Sequence, residues 1–215
     1  MRTIAYVDGF NLYHRALKKT AFKWLNLHAL IEAVLPATDQ LAAVNYYTAR
    51  VSGRRNPTAP KDQNTYLSAL KTLGNLSIHF GSFQVTERWM HLSQPICFLP
   101  HGVTPYPVPE FIRVEKTEEK GSDVNLGAHL LWDAMKGSFE HAALLTNDSD
   151  LKEPLRIVVE ELGLPVTLLC PVDVPAIQLR KLATDVRHIR PYLGPSQFPN
   201  PVAGLKGPLF KPSDW

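Results

Sequence analysis

Short apolar runs alternate along the chain with stretches in which apolar residues recur at helical spacing. The first run, Thr3 to Val7, stops at Asp8-Gly9 and predicts a buried strand. From Phe10 to Lys19, Leu12, Ala16 and Leu17 share one helical face, and Leu27 to Leu35 predicts a second helix halted by Pro36. Further strands are predicted at Leu41–Ala49, Leu76–Phe80, His141–Leu145 and Pro165–Leu169, with an edge strand at Val186–Ile189. Helices are predicted over Lys61–Leu73, Ser122–Met135, Leu151–Leu162 (closed by Gly163) and Ala176–Leu182. Strands that alternate with helices predict an α/β fold: a doubly wound, mainly parallel central sheet with helices on both faces.

Two regions break this rhythm. Residues 84–110 carry five prolines, Trp89, His91, His101 and Tyr106 without a helix or strand period, and read as an irregular insertion or flap. Phe111 to Glu115 is extended and leads into a charged turn, Lys116 to Lys120. After Arg190 the chain becomes rich in proline and glycine. The expected organisation is one domain over 1–190 and a Pro/Gly-rich C-terminal tail over 191–215 that either wraps the domain or stays mobile.

Composition adds bounds rather than a function. With 45% hydrophobic and 20% charged residues, the 215-residue chain can bury a core and is not a disordered polymer. A formal charge of +3 admits a polyanionic partner without requiring one. Cys97 and Cys170 lie far apart and form no zinc or redox motif. An acidic residue by position 8 and the lack of a long uncharged run predict no signal peptide, no membrane span and a cytoplasmic protein. No distinct apolar face supports a homodimer, which stays open.

The chemistry is carried by acidic residues at strand ends. Asp8 follows IAYV, Asp148 and Asp150 follow ALLTN, and Asp123 opens a helix after EKTEEKGS. Singly, Asp8 reads as a turn former and Asp148 as a helix cap. Together, they belong to the crevice at the carboxyl ends of the strands, where α/β sheets bind ligands. Converging carboxylates raise one another's pKa unless a hard cation such as Mg²⁺ or Mn²⁺ offsets the repulsion. The expectation is therefore a metal site of Asp8, Asp123, Asp148 and Asp150 that activates water against a phosphodiester. Asn11 and Lys120 stand close in sequence as supporting residues, and Thr146 can hydrogen-bond a ligand. Arg50, Arg54, Arg55 and Lys61 are the expected path for a nucleic-acid backbone. Trp89, His91 and Tyr106 can stack on bases or pack within the flap.

Three segments, YVDGFNLYH (6–14), EEKGSDVNLGAHLL (118–131) and LLTNDSDL (144–151), resemble in order the signatures of the bacterial stand-alone NYN family of PIN-like nucleases. The resemblance implies a PIN-like fold and metal-dependent cleavage of RNA, with Asp8, Asp123, Asp148 and Asp150 as the acidic pattern. It departs at His129, where the family often has an aspartate. Two alternatives remain. Some proteins of this resemblance are NADH-dependent hydroxylases of 6-hydroxy-3-succinoylpyridine, although this chain lacks the G-x-G-x-x-G dinucleotide fingerprint. The other is a non-catalytic RNA-binding regulatory protein.

Overall fold

The computed structural model describes residues 1–54, 56–93, 110–213 and 215. The first strand, β1 (Arg2–Asp8), is buried from its second residue onward. It lies between β2 (Gln40–Thr48) and β6 (His141–Leu145), and the register sets Asp8 opposite Tyr47 and Val7 opposite Leu145. With β3 (Leu76–Phe80), β7 (Val166–Cys170) and β8 (Asp185–His188), the six-stranded sheet runs β3-β2-β1-β6-β7-β8. Every pairing in it is parallel. Such a sheet needs cover on both faces.

Strand periodicity sends alternate side chains to opposite layers. Ala5 and Val7 of β1 join one core with Val44, Tyr46, Ala143 and Leu145. Ile4 and Tyr6 join the other with Tyr47, Ala142 and Leu144. The first layer is covered by α1 (Gly9–Leu12), its wider continuation Tyr13–Leu17, α2 (Leu27–Val34) and α3 (Ala59–Leu70). The second is covered by α4 (Ser122–Met135), α5 (Lys152–Arg156) and α6 (Ile177–Leu182). The architecture is a doubly wound α/β sheet.

Two features add to that frame. β4 (Ser82–His91) and β5 (Phe111–Lys120) form a separate antiparallel two-stranded ribbon, and Trp89 on it is 70% exposed. The expected turn over Lys116–Lys120 is thus part of a strand. Ordinary period-two alternation is masked there because few positions on either face are buried. The segment after Arg190 is packed rather than loose: Leu193, Phe198 and Val202 enter the first core. It also forms the small hairpin β9 (Val202–Gly204) and β10 (Gly207–Leu209). Trp24 anchors it by donating its indole N–H to the Pro199 carbonyl at 3.0 Å and by packing against Phe198 and Trp215. Among the described residues, no helix is long and apolar enough to cross a membrane.

Candidate functional site

Strand order reverses between β1 and β6, the point at which an open α/β sheet leaves a crevice beyond its carboxyl ends. Asp8 sits at that point and is only 4% exposed. Its backbone is still extended while the next residues turn helical, so its carboxylate caps α1: Oδ1 accepts from the Asn11 amide at 2.9 Å. The other oxygen, Oδ2, accepts from the Thr146 hydroxyl at 2.9 Å. Gly9 is required for the turn. A Cβ there would lie 2.6 Å from the Tyr47 carbonyl oxygen and 2.7 Å from the Tyr46 ring.

Across the crevice, the Asn11 side chain accepts from the Asn147 amide at 3.0 Å. Asn147 in turn accepts through its own side chain from the Ala176 amide at 2.7 Å. Asp148 caps the short 3-10 turn Ser149–Leu151, its Oδ1 accepting from the Asp150 amide at 3.0 Å. Asp8, Asp123 and Asp148 line one cleft of about 470 Å³ with Phe10, Asn11, Phe83 and Glu119, and with His14 and Arg15 on its basic side. Asp150 is exposed and outside the lining, although its charge reaches Asp123.

Two carboxyls of the cleft have raised proton affinity. Burial, reinforced by the charges of Asp123 and Asp148, raises the Asp8 carboxyl to about 6, against the opposing hydrogen bonds from Asn11 and Thr146. Burial also raises Asp123, with further contributions from Asp148, Glu119 and Asp150. His14 is held below the usual histidine range by burial and by the neighbouring Lys18 and Arg15.

Phe10 lines a second space on its other side, a cavity of about 210 Å³ between α1 and α3. Phe10, Tyr46, Tyr66 and Trp215 supply aromatic walls, with Lys23, Thr48 and Asp62 among its polar residues. Tyr46 lies within electrostatic reach of Asp8. It lines the cavity, while its hydroxyl is pushed up to about 12 by burial, with Thr48 lowering it and the charge of Asp8 raising it.

The remaining expected residues are dispersed. Lys120 reaches Glu118 at 3.5 Å and is not in the cleft lining. Arg50 donates to the Asn64 side chain and lies 4.4 Å over the Phe80 ring, Arg54 pairs with Glu115 at 2.9 Å, and Lys61 is exposed on α3. Arg55 and Tyr106 fall outside the described residues. His91 packs edge-on against Phe111 within the ribbon. His129 lies within hydrogen-bond distance of the Tyr47 hydroxyl, 3.0 Å from its Nδ1, away from the acidic cleft.

The chain is 28% identical to 6-hydroxy-3-succinoylpyridine 3-monooxygenase of Pseudomonas putida over 244 aligned positions, spanning 100% of this chain and 75% of the relative. No protein-family model matches. A crystal structure of a protein of unknown function from Vibrio parahaemolyticus shares the fold, with a TM-score of 0.53 and 15% identity over 87% of this chain and 92% of that one.

These findings correct the nuclease expectation. The full-length likeness is to an oxygenase, and no NYN or PIN-like family model matches, so the assignment to that family, the ribonuclease activity and the RNA partner are withdrawn. The Mg²⁺ or Mn²⁺ site is withdrawn with them. Among the described residues, no group of three or more His, Cys, Asp or Glu side chains is arranged to hold a metal ion. Asp8 and Asp148 instead serve local turns: both Asp8 oxygens and one Asp148 oxygen accept from nearby donors, and Asp150 lies exposed outside the cleft lining. The sequence reading also missed Tyr46, Tyr66 and Trp215, which converge on one cavity from β2, α3 and the C-terminal segment. The pattern of those residues is that of ordinary core aromatics.

Proposed function

We propose that the chain is a small-molecule oxygenase acting on a hydroxylated pyridine or a closely similar ring. The observation that carries this reading is its likeness, along 100% of the chain, to a monooxygenase of such a pyridine. In a monooxygenation, one atom of dioxygen enters the substrate and the other leaves as water, with two electrons and two protons consumed. The relative's substrate bears a 6-hydroxy group and, para to it, a 3-succinoyl group on the carbon that its name gives as the site of oxygenation. The new C–O bond there therefore replaces the ring–acyl bond, and the acyl group takes up the water formed and leaves as a carboxylic acid. Loss of the hydroxyl proton feeds electron density to that carbon. Such chemistry needs a protein group that exchanges protons near neutrality.

Asp8 fills that role. A carboxyl raised to about 6 is ionised or protonated at similar cost around neutral pH, where acid–base catalysts act best. Asn11 and Thr146 position it, and Asp123 and Asp148 keep its proton affinity high. Asp150 acts on Asp123 through charge alone, and Lys120 stays at the rim with Glu118. Residues 1–190 form the catalytic unit, and the segment 191–215 contributes Trp215 to the cavity beside it.

The electrons come from a reduced nicotinamide consumed as a co-substrate. The carboxyl edge does not fit a dinucleotide's pyrophosphate, because Asp8 already occupies the Asn11 amide and the nearby carboxylates repel phosphate.

The test is purified protein with 6-hydroxy-3-succinoylpyridine, dioxygen and reduced nicotinamide or reduced flavin as electron source. Oxygen uptake coupled to a hydroxylated product is expected, with label from dioxygen in that product. Folded protein that gives no product with either donor rules the activity out.

A further inference from the structure

An oxygenase of a pyridine acid must seat a flat ring and an anionic tail, and the two spaces beside Phe10 differ in their suitability. The cleft gathers Asp8, Glu119, Asp123 and Asp148 against Arg15, so a carboxylate entering it meets an excess of like charge. The cavity between α1 and α3 has the opposite character. Its walls are rings: Tyr66 and Trp215 stand 5.6 Å apart at 60°, with Phe10 and Tyr46 completing the enclosure. Aromatic pairs prefer such tilted contacts, which leave ring edges and faces for a further aromatic group.

Size agrees. A dry apolar cavity of about 150 Å³ already accepts benzene, and this one measures about 210 Å³. Its polar residues are few. Lys23 supplies a cation, its Nζ lying 5.9 Å over the Trp215 ring, and Asp62 supplies an acceptor for a ring N–H or hydroxyl. Gln63 also lines the cavity, but its amide accepts from the Val51 N–H at 3.0 Å and donates to the Ala49 carbonyl at 2.8 Å, which fixes the wall. A mainly apolar space with a few polar groups is the usual form of a small-ligand site.

We propose that this aromatic cavity, and not the acidic cleft, seats the ring of a hydroxylated N-heteroaromatic acid, with Lys23 taking the carboxylate and Asp62 the ring N–H. The choice of ligand rests on the proposed function. The seat places the ring against Tyr46, whose hydroxyl hydrogen-bonds Thr48 and feels the charge of Asp8.

The experiment titrates the full chain with 6-hydroxy-3-succinoylpyridine and with tail-less 2-hydroxypyridine, by calorimetry and tryptophan fluorescence. Ala59→Leu narrows the cavity from the start of α3, and Val51→Phe does so from the preceding loop. Each should weaken both probes at least tenfold, with folding verified by thermal melting. Lys23→Met should weaken the tailed probe tenfold and leave the tail-less one within twofold. Arg15→Ala, in the cleft, should leave both within twofold. Absence of binding, insensitivity to both narrowing variants, or loss of tailed binding in Arg15→Ala overturns the seat. Binding that responds as expected without any oxygen uptake keeps the seat and removes the oxygenase. Oxygen uptake whose KM ignores both narrowing variants does the reverse.

Discussion

The two sides of Phe10 are built from different parts of the same fold. The acidic cleft is assembled from strand ends and helix starts, so its groups are held by backbone: Asp8 by the Asn11 amide, Asp148 by the Asp150 amide. The aromatic cavity is assembled from residues in the middle of elements, Tyr46 in β2 and Tyr66 in α3, and is held by packing. The difference teaches that convergent carboxylates are not in themselves a metal site. Here two of them cap short helical turns, and burial leaves Asp8 with a raised proton affinity despite the caps.

The largest expected effect isolates the cleft's role. Asp8→Asn keeps the cap geometry but cannot exchange a proton, so turnover should fall by about a hundredfold or more; product formation measured on folded variant checks it. Full activity in Asp8→Asn would erase the division of labour between the two spaces.

The same variant should gain stability. Folding raises the Asp8 carboxyl from 3.8 to about 6, so the folded state favours the neutral form. Stability on this account is greatest below 3.8, declines as pH rises to about 6, and stays reduced above it. The penalty is about 3 kcal/mol at alkaline pH. Asp8→Asn should therefore melt higher than the parent at about pH 8 and show no gain at about pH 3, a contrast that thermal denaturation at both values reads directly.

Thr146→Val comes next. It deprives Asp8 of the hydroxyl donor at 2.9 Å and the Asp148 amide of its acceptor at 3.1 Å. A loss of about 1–3 kcal/mol is expected in denaturant unfolding. Because that hydroxyl favours the charged carboxylate, the acid limb of the pH–rate profile should move to higher pH. The smallest effect belongs to Lys120→Ala, which removes an exposed pair with Glu118 outside both spaces. Stability should change by less than about 0.5 kcal/mol and turnover should hold; a large loss of turnover would bring Lys120 back to the chemistry.

The doubly wound core was legible because its strands are buried on both faces and read as continuous apolar runs, as in Ala142–Leu145. The meeting of Asp8, Asp123 and Asp148 was legible for the same topological reason: strand ends share an edge. The ribbon was not. Arg88, Trp89 and Met90 are all exposed, so no buried face imposes alternation on the sequence. Wrapping of 191–215 around the domain was one of two readings the sequence allowed, and it did not stand out because it depends on single anchors such as Leu193 and Phe198 set among prolines. The cavity was hidden by chemistry: Tyr46 and Tyr66 occupy core positions, and nothing in a core aromatic's spacing shows that one side of it faces empty space.

Asn147 ties these observations to how the molecule can move. Its amide is held by Asn11 and its side chain holds the Ala176 amide, so one residue stitches α1 to the approach of α6 across the switch point. Prising the sheet edge apart breaks both bonds, at about 1 kcal/mol each. Swinging Phe10 away from its edge-on contact with Phe83, 5.6 Å between ring centres, breaks no backbone hydrogen bond. The partition between the two spaces is thus held by ring packing, while the frame beside it is held by hydrogen bonds.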